Sequence, residues 1–217
     1  MNKDLLSAGL GMLGLPSDGA LMDGLALYTQ LIAELNPTLG LVGASGDEFI
    51  IKHLLDSLAP LSELDRLMDK AAGQGEPTLA DLGTGAGLPG IPLALARPQW
   101  HVTLVDRMTR RINVLDTAKT ALGLDNVNIV EEQVERYRGS HALITFRAFR
   151  PFERKLFRKV FGACAPGGFV AAYKGKADKA RAELAAIDGL YSAVDIKTVT
   201  VPFLPDERCL VELSPAR

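Results

Sequence analysis

The chain has 217 residues and a formal net charge of −2, with 47% hydrophobic and 23% charged residues. These values are typical of globular domains and exclude a disordered or fibrous protein. No stretch reaches the roughly 20 apolar residues of a membrane span. The two cysteines, Cys164 and Cys209, belong to no C-x-x-C motif or Cys/His cluster. We therefore predict a cytoplasmic protein with reduced cysteines, no metal site and no membrane partner.

The N-terminal third is predicted to be helical. Apolar residues recur at helical spacing over residues 21–35, and Asn36-Pro37 is expected to end this helix. A second helix is predicted over residues 47–58. Residues 5–15 are apolar but contain three glycines, which are expected to make this segment a poor helix.

From Thr78 onward, short apolar runs alternate with helical patterns, which indicates a parallel sheet covered on both faces. The predicted strands span residues 78–82, 101–106, 127–131, 142–147 and 168–173, and the predicted helices lie near residues 89–96, 108–122, 151–163 and 177–187. A final β-rich pair, 194–201 and 208–213, is expected to form an antiparallel edge. The sequence thus predicts a doubly wound α/β domain over residues 76–217 and an N-terminal helical extension over residues 1–75.

A glycine-rich loop follows the first predicted strand and reads Asp81-Leu-Gly83-Thr-Gly85-Ala-Gly87-Leu88-Pro-Gly. Glycines at this end of a strand let a ligand approach the backbone, and α/β sheets bind nucleotides there. A dinucleotide fingerprint needs Gly or Ala where Leu88 stands, whereas the G-x-G-x-G spacing after an acid is typical of S-adenosylmethionine (SAM)-dependent methyltransferases. Asp81 can face the ammonium group of SAM. Asp106 ends the second strand, where an acid can accept hydrogen bonds from ribose hydroxyls.

The small net charge hides an asymmetry along the chain. Residues 1–80 hold 4 basic and 11 acidic side chains, a net charge of −7, whereas residues 147–181 hold 10 basic and 2 acidic ones, a net charge of +8. A local excess of this size suggests contact with a polyanion, and the alternative is a solvated surface without a partner. We expect a basic rim beside the glycine loop, because both ends of this segment follow strands that finish at the same edge of the sheet.

Four motifs occur along the chain in the order Lys52-His53-Leu-Leu-Asp56-Ser-Leu, Asp81-Leu-Gly-Thr-Gly-Ala-Gly-Leu-Pro-Gly-Ile-Pro-Leu-Ala94, Arg147-Ala-Phe and Tyr173-Lys174-Gly. Together they resemble the RsmG family, also called GidB, of bacterial 16S rRNA (guanine-N7)-methyltransferases. The resemblance implies a class I SAM-dependent methyltransferase fold: a Rossmann-like, mostly parallel seven-stranded sheet with an antiparallel final strand. It also implies methyl transfer from SAM to guanine 527 of 16S rRNA, in free rRNA or in the 30S subunit.

The resemblance also implies site residues. SAM contacts are expected at Gly83, Leu88, Asp106, Val134, Glu135 and Arg147, and the loop pattern adds Asp81, Gly85 and Gly87. Arg147 is the predicted catalytic residue, because it follows the fourth strand, where this fold presents substrate to SAM. A buried structural arginine paired with Asp81 or Glu135 is the alternative. RNA contacts are expected at His53, Arg150, Lys174 and Lys176. For His53 and Asp56, docking of an N-terminal helix is the alternative role.

Guanine N7 carries an in-plane lone pair and no proton at neutral pH, so methyl transfer to it needs no general base and depends on positioning. Two other functions stay open at this point. A small-molecule methyltransferase would share the site but leave the basic segment unexplained. A non-catalytic RNA-binding factor for ribosome assembly would not need the complete glycine loop and Asp106. We expect the chain to act as a monomer on 16S rRNA.

Overall fold

A computed structural model describes residues 1–73, 75–148 and 151–216. Strands of one sheet run through the described residues in the order β1 (Thr78–Leu82), β2 (His101–Asp106), β3 (Val127–Glu131), β4 (His141–Arg147), β5 (Cys164–Lys174), β6 (Tyr191–Val199) and β7 (Arg208–Pro215). The helices are α1 (Lys3–Met12), α2 (Gly19–Leu39), α3 (Gly46–Phe49), α4 (Asp56–Leu58), α5 (Leu61–Ala72), α6 (Gly90–Ala96), α7 (Thr109–Leu122), α8 (Arg154–Gly162) and α9 (Ala177–Leu184). A π-helical turn, Ile50–Leu55, joins α3 to α4, and a 3-10 turn, Ala185–Ile187, follows α9.

The strands are arranged in the order β3-β2-β1-β4-β5-β7-β6. The first five are parallel to one another, and β7 pairs antiparallel with both β5 and β6. This arrangement confirms the predicted class I methyltransferase sheet with an antiparallel final strand. Because β1, β2 and β4 are parallel neighbours, their carboxyl ends lie at the same edge of the sheet, which brings Asp81, Asp106 and Arg147 to one region.

Helices cover both faces of the sheet, and side chains along β1 alternate between them. Leu79 belongs to a hydrophobic cluster that includes α1, α2, α4 and α5, whereas Ala80 and Leu82 belong to a second cluster under α8 and α9. The N-terminal helices therefore share a continuous core with one face of the sheet. The division of the chain at residue 75 stays a prediction.

The structure corrects two predictions about the N-terminal helices. The segment expected to be a poor helix forms α1, because Asn2 caps its first turn through a 3.1 Å bond from Leu5 N and because Leu6 and Leu10 are buried. Helix α2 continues through Pro37 and ends at Gly40, which adopts φ 58° as a left-handed cap. Tertiary packing thus overrides the local signals of glycine and proline.

We expect two glycines in α1 to respond in opposite ways to alanine. A Cβ at Gly11 would meet no atom within 4 Å, so Gly11→Ala should raise the free energy of unfolding. The expected increase in the free energy of unfolding is about 0.4–1 kcal/mol, because alanine lowers the conformational entropy of the unfolded chain. A Cβ at Gly9 would lie 2.4 Å from Cδ1 of the fully buried Leu55, so Gly9→Ala should lower stability. The expected loss is roughly 1–3 kcal/mol. Urea unfolding of both variants tests the pair, and equal effects would contradict the packing of α1 on Leu55.

Candidate functional site

The glycine loop between β1 and α6 is held from below by Asp81, which is fully buried. The Asp81 carboxylate accepts hydrogen bonds from Thr84 Oγ1 at 2.6 Å, Gly90 N at 2.9 Å and Thr145 Oγ1 at 3.3 Å. Burial raises the pKa of Asp81 to about 6, and these hydrogen bonds oppose the increase. Asp81 therefore lies beneath the loop, with both carboxylate oxygens bonded to protein donors.

Asp106, at the end of β2, binds the loop from the other side. Its Oδ2 accepts hydrogen bonds from Gly85 N at 3.0 Å and from Arg111 Nη1 at 3.2 Å, and its Oδ1 accepts one from Met108 N at 3.0 Å. Gly85 has φ 63°, a conformation that suits glycine. The Gly85 N–H group thus points at a carboxylate. The loop does not present this donor to an anion, as a site for a pyrophosphate would.

A cavity of about 350 Å³, here called the loop cavity, opens beside these groups. Its lining residues are Gly83, Asp106, Arg107, Arg111, Glu132, Val134, Glu135 and Ala148. Four of the predicted SAM contacts therefore come together: Gly83, Asp106, Val134 and Glu135. Gly87 and Leu88 lie in the core instead: a Cβ at Gly87 would come within 2.4 Å of Ile91 Cδ1, and Leu88 is buried.

Arg147, at the end of β4, bonds to the N-terminal helices. Its Nη1 donates to Asp56 Oδ2 at 2.9 Å and to the carbonyl oxygens of Lys52 and His53, both at 3.3 Å. These two carbonyls belong to the π-helical turn Ile50–Leu55, and π-helical geometry is rare and frequent at functional sites. Arg147 thus forms an ion pair with Asp56, a partner that the sequence analysis did not suggest.

His53 and Asp56 complete this cluster. Nη2 of Arg147 lies 3.1 Å from Nδ1 of His53, and Asp56 also accepts a 3.0 Å bond from Nε of Arg208. Burial, together with the positive charge of Arg147, lowers the pKa of His53 to about 4. His53 is therefore neutral at pH 7 and accepts from Arg147 at Nδ1, which assigns its own proton to Nε2.

A second cavity, here called the arginine cavity, lies over this cluster and has a volume of about 380 Å³. Its lining includes Lys52, His53, Asp56, Pro60, Arg147, Ala148, Tyr173, Lys174, Val199 and Arg208. Ala148 borders both the arginine cavity and the loop cavity. It has φ 50°, which is uncommon for a residue with a side chain. Ala148, directly after β4, is therefore a wall residue of both cavities.

Two buried tyrosines connect the helical layer to the site, and the sequence analysis, which named Tyr173 only as part of a family motif, predicted the contact of neither. The hydroxyl of Tyr28 in α2 donates to Ala86 O in the glycine loop at 2.7 Å, and that of Tyr173 in β5 donates to Ser57 O in α4 at 2.9 Å. Burial raises the pKa of each hydroxyl above its usual value. Tyr28 lies in an apolar helical stripe, so the sequence gives only the signal of a core residue.

The basic residues predicted to bind RNA differ in their surroundings. Nζ of Lys174 donates to Glu183 Oε2 at 2.6 Å and lies 4.2 Å from the ring centroid of Phe152. The positive charge of Lys174 is therefore largely balanced by contacts within the protein. Lys176 is exposed before α9. Arg150 lies outside the described residues.

Helix α8 carries the densest exposed positive charge in this segment. Leu156, Phe157 and Val160 bury one face of the helix, while the opposite face exposes Arg154, Lys155, Arg158 and Lys159. These cations form two like-charge pairs at i,i+4 spacing, and α8 contains no acidic residue. Like charges at this spacing destabilise a helix, so an external anion would relieve the repulsion.

In the part of the chain that the structure describes, no helix is long and apolar enough to cross a membrane. Within the same residues, no three His, Cys, Asp or Glu side chains come together as a metal site would require.

Comparison with known proteins places this geometry in a family. A family model described as rRNA small subunit methyltransferase G matches residues 22–211. Proteins named ribosomal RNA small subunit methyltransferase G are similar over nearly their whole length. The protein from Ralstonia nicotianae is 36% identical over 97% of this chain and 94% of its own. The protein from Nitrosococcus oceani is 36% identical over 100% of this chain and 97% of its own.

Solved structures agree on the fold. A putative S-adenosyl-L-methionine-dependent methyltransferase from Methanococcus maripaludis superposes with a TM-score of 0.57 at 16% identity, covering 87% of this chain and 92% of its own. An rRNA methylase from Streptococcus thermophilus gives a TM-score of 0.53 at 15% identity, covering 72% of this chain and 95% of its own. The extent of the family match and the identity to the relatives establish that the chain belongs to the rRNA small subunit methyltransferase G family.

Proposed function

We propose that the protein transfers the methyl group of SAM to N7 of a guanine in bacterial 16S rRNA, which the family resemblance identifies as guanine 527, in the cytoplasm. The observation that carries this proposal is that Ala148 lines both cavities. A cofactor in the loop cavity and a base in the arginine cavity would face each other there. Membership of the family supports the choice of an rRNA base as the acceptor.

The loop cavity suits SAM better than a nucleotide bearing phosphates. Asp106 already accepts a hydrogen bond from Gly85 N. Its carboxylate can accept further hydrogen bonds from ribose hydroxyls, whereas its negative charge would repel a phosphate. A carboxylate has about four acceptor positions, and three donors occupy Asp106. Arg111 is the one side-chain donor of the three and is 34% exposed, so its contact would give way to a hydroxyl. Gly83, Val134 and Glu135 would hold the rest of the cofactor.

The chemistry requires alignment and no proton transfer. When bound, SAM supplies an electrophilic methyl group, and guanine N7 attacks it with its lone pair. Arg147 and the π-helical turn form one wall of the arginine cavity, so the Arg147–Asp56 pair would fix the position of the base. His53 is neutral and bonded to Arg147, so it would orient the base or the arginine.

The exposed face of α8 is the surface that we assign to the RNA backbone, with Lys176 as a further contact. The four cations of this face are exposed, whereas Lys174 is paired with Glu183. Phosphate contacts position RNA without reading its sequence, so this surface would supply affinity and the arginine cavity would select the base.

The deciding experiment incubates the protein with labelled SAM and 30S subunits from cells that lack it, followed by mass mapping of the methylated nucleotide. We expect one methyl group on N7 of one guanine in 16S rRNA. Label on small molecules alone would favour a small-molecule methyltransferase. Binding to 30S subunits without any transfer would favour a non-catalytic assembly factor.

We expect Asp106→Ala to weaken SAM binding by roughly 1–3 kcal/mol, because a buried acceptor for the ribose and for Gly85 N is lost. Calorimetric titration measures the affinity. The matched control is Asp116→Ala, which removes an exposed carboxylate from the neighbouring helix α7 and should bind SAM like the parent. Unchanged affinity in Asp106→Ala would remove Asp106 from the site.

We expect the single-turnover rate to be independent of pH between about 7 and 8.5, above the pKa of about 6 of Asp81, since methylation of guanine N7 needs no general base. His53 has its pKa lowered to about 4 by burial and Arg147, so it stays neutral throughout this range. His53→Gln should change the rate without changing the shape of the profile. A parent profile that rises with an apparent pKa near 7, and that becomes flat in His53→Gln, would instead make His53 a general base.

We expect the double variant Lys155→Glu and Lys159→Glu to bind 30S subunits more weakly, with a shallower dependence of log affinity on log salt concentration. Losing two phosphate contacts should reduce the slope by roughly 1.5. SAM affinity should not change, because neither lysine lines the loop cavity. Lys3→Glu with Lys119→Glu changes the net charge equally outside the basic segment and serves as the control. If both double variants lose the same affinity, the effect is one of net charge and α8 is a solvated surface.

A further inference from the structure

The connection between β6 and β7 contains a turn with an unusual residue. Leu204 N donates to Val201 O at 3.2 Å, which closes a four-residue turn with Pro202 and Phe203 in the middle. Phe203 has φ 65°, and positive φ at the third position of such a turn favours Gly or Asn. For a bulky side chain, this backbone conformation is strained.

Packing of the Phe203 side chain does not explain the strain. Val201 and Pro202 are buried, and Leu204 packs against the main hydrophobic cluster, whereas Phe203 is 46% exposed. The turn is thus held in place by the packing of Val201, Pro202 and Leu204. Gly or Asn at position 203 would form the same turn with less strain, so the turn itself does not require an aromatic residue there. Strain that persists in this way is concentrated at functional sites.

The turn lies beside the arginine cavity. The connection leaves the wall of this cavity at Val199 and returns to it at Arg208. Among the described residues, Phe203 and Ala148 are the two non-glycine residues with positive φ, and Ala148 lines the same cavity. Phe203, whose side chain is partly exposed and whose backbone is strained, therefore belongs to a loop that borders the proposed position of the target base.

We propose that Phe203 is a stacking platform for an unpaired nucleobase of the RNA strand that carries the target guanine. The inference rests on the proposed function, and it adds a substrate contact outside the arginine cavity. Proteins hold unpaired RNA by stacking its bases on aromatic side chains, and such stacking tolerates any base. Asp206 and Glu207, on the same loop, repel phosphates. The contact at Phe203 is therefore with a base and not with the backbone.

The test compares four variants at position 203 in methylation of 30S subunits from cells that lack the protein. Phe203→Trp keeps an aromatic face, and Phe203→Leu keeps an apolar side chain without one. Phe203→Gly and Phe203→Asn remove both and relieve the backbone. We expect KM for the subunits to rise roughly tenfold in Leu, Gly and Asn variants, as expected for loss of one stacked base, and to stay at or below the parent value in Phe203→Trp. SAM affinity should stay constant in all four.

Thermal unfolding gives the second readout. Phe203→Asn should melt at a higher temperature than Phe203→Ala, because both variants remove the ring and asparagine adopts positive φ with less strain than alanine. Equal melting temperatures of these two variants would show that the backbone at position 203 is not strained and would overturn the proposal. Equal KM in parent and Phe203→Leu would also overturn it, since an apolar contact, as with a ribosomal protein, would then suffice.

Failure of the proposed function is distinguishable from failure of this inference. If the parent protein transfers no methyl group to 30S subunits or to deproteinised 16S rRNA, the proposed function is wrong, and equilibrium binding of deproteinised 16S rRNA then decides the role of Phe203. Weaker binding of Phe203→Leu than of Phe203→Trp would support stacking in the absence of catalysis. Equal binding of the two variants would reject it.

Discussion

The hydrogen bonds of Arg147 join the two halves of the site. Its guanidinium extends from the end of β4 into the π-helical turn and reaches Asp56, 91 residues away in sequence. Asp56 in turn binds Arg208 at the start of β7, so one carboxylate connects the helical layer to two strands. A buried charge left without its partner destabilises a protein strongly, which makes this pair hard to separate. The position of the N-terminal helices and the shape of the arginine cavity are thus fixed together.

The two acids of the glycine loop have different roles because their environments differ. Asp81 is fully buried and bonded to Thr84, Gly90 and Thr145, so it shapes the loop from the protein side. Asp106 lies at the wall of the loop cavity and accepts a hydrogen bond from Gly85 N. The sequence analysis predicted that both acids contact the cofactor, since both lie near the carboxyl ends of neighbouring strands. Which acid faces inward depends on the alternation of side chains along β1 and on packing against α6.

Local patterns predicted the parts of the fold that local forces determine. The bounds of β1, β2 and β3 match the prediction, because a buried parallel strand is a short apolar run flanked by turn residues. The glycine loop and Asp106 were recognisable for the same reason. Contacts between distant segments left no such pattern. The bond from Tyr28 to Ala86 spans 58 residues, and Tyr28 fits the apolar stripe of α2 equally well as a core residue. Likewise, the pairing of Lys174 with Glu183 could not be predicted from the sequence, because it depends on how α9 packs beside β5.

The cations of the basic segment fall into two groups, and the division follows from desolvation. Arg147 and Lys174 are mostly buried, and each has a carboxylate partner, because an unpaired charge in that position would be costly. The cations of α8 are exposed, so they need no carboxylate partner to offset desolvation and stay available to phosphates, although Arg154 also donates to the carbonyl oxygen of Asp188 at 2.6 Å. In the proposed complex, long-range attraction to RNA would come from α8, where salt screens it, while the arginine cavity would act over short distances and be screened less. A segment with a net charge of +8 can therefore serve both recruitment and alignment, although net charge alone reveals only the first.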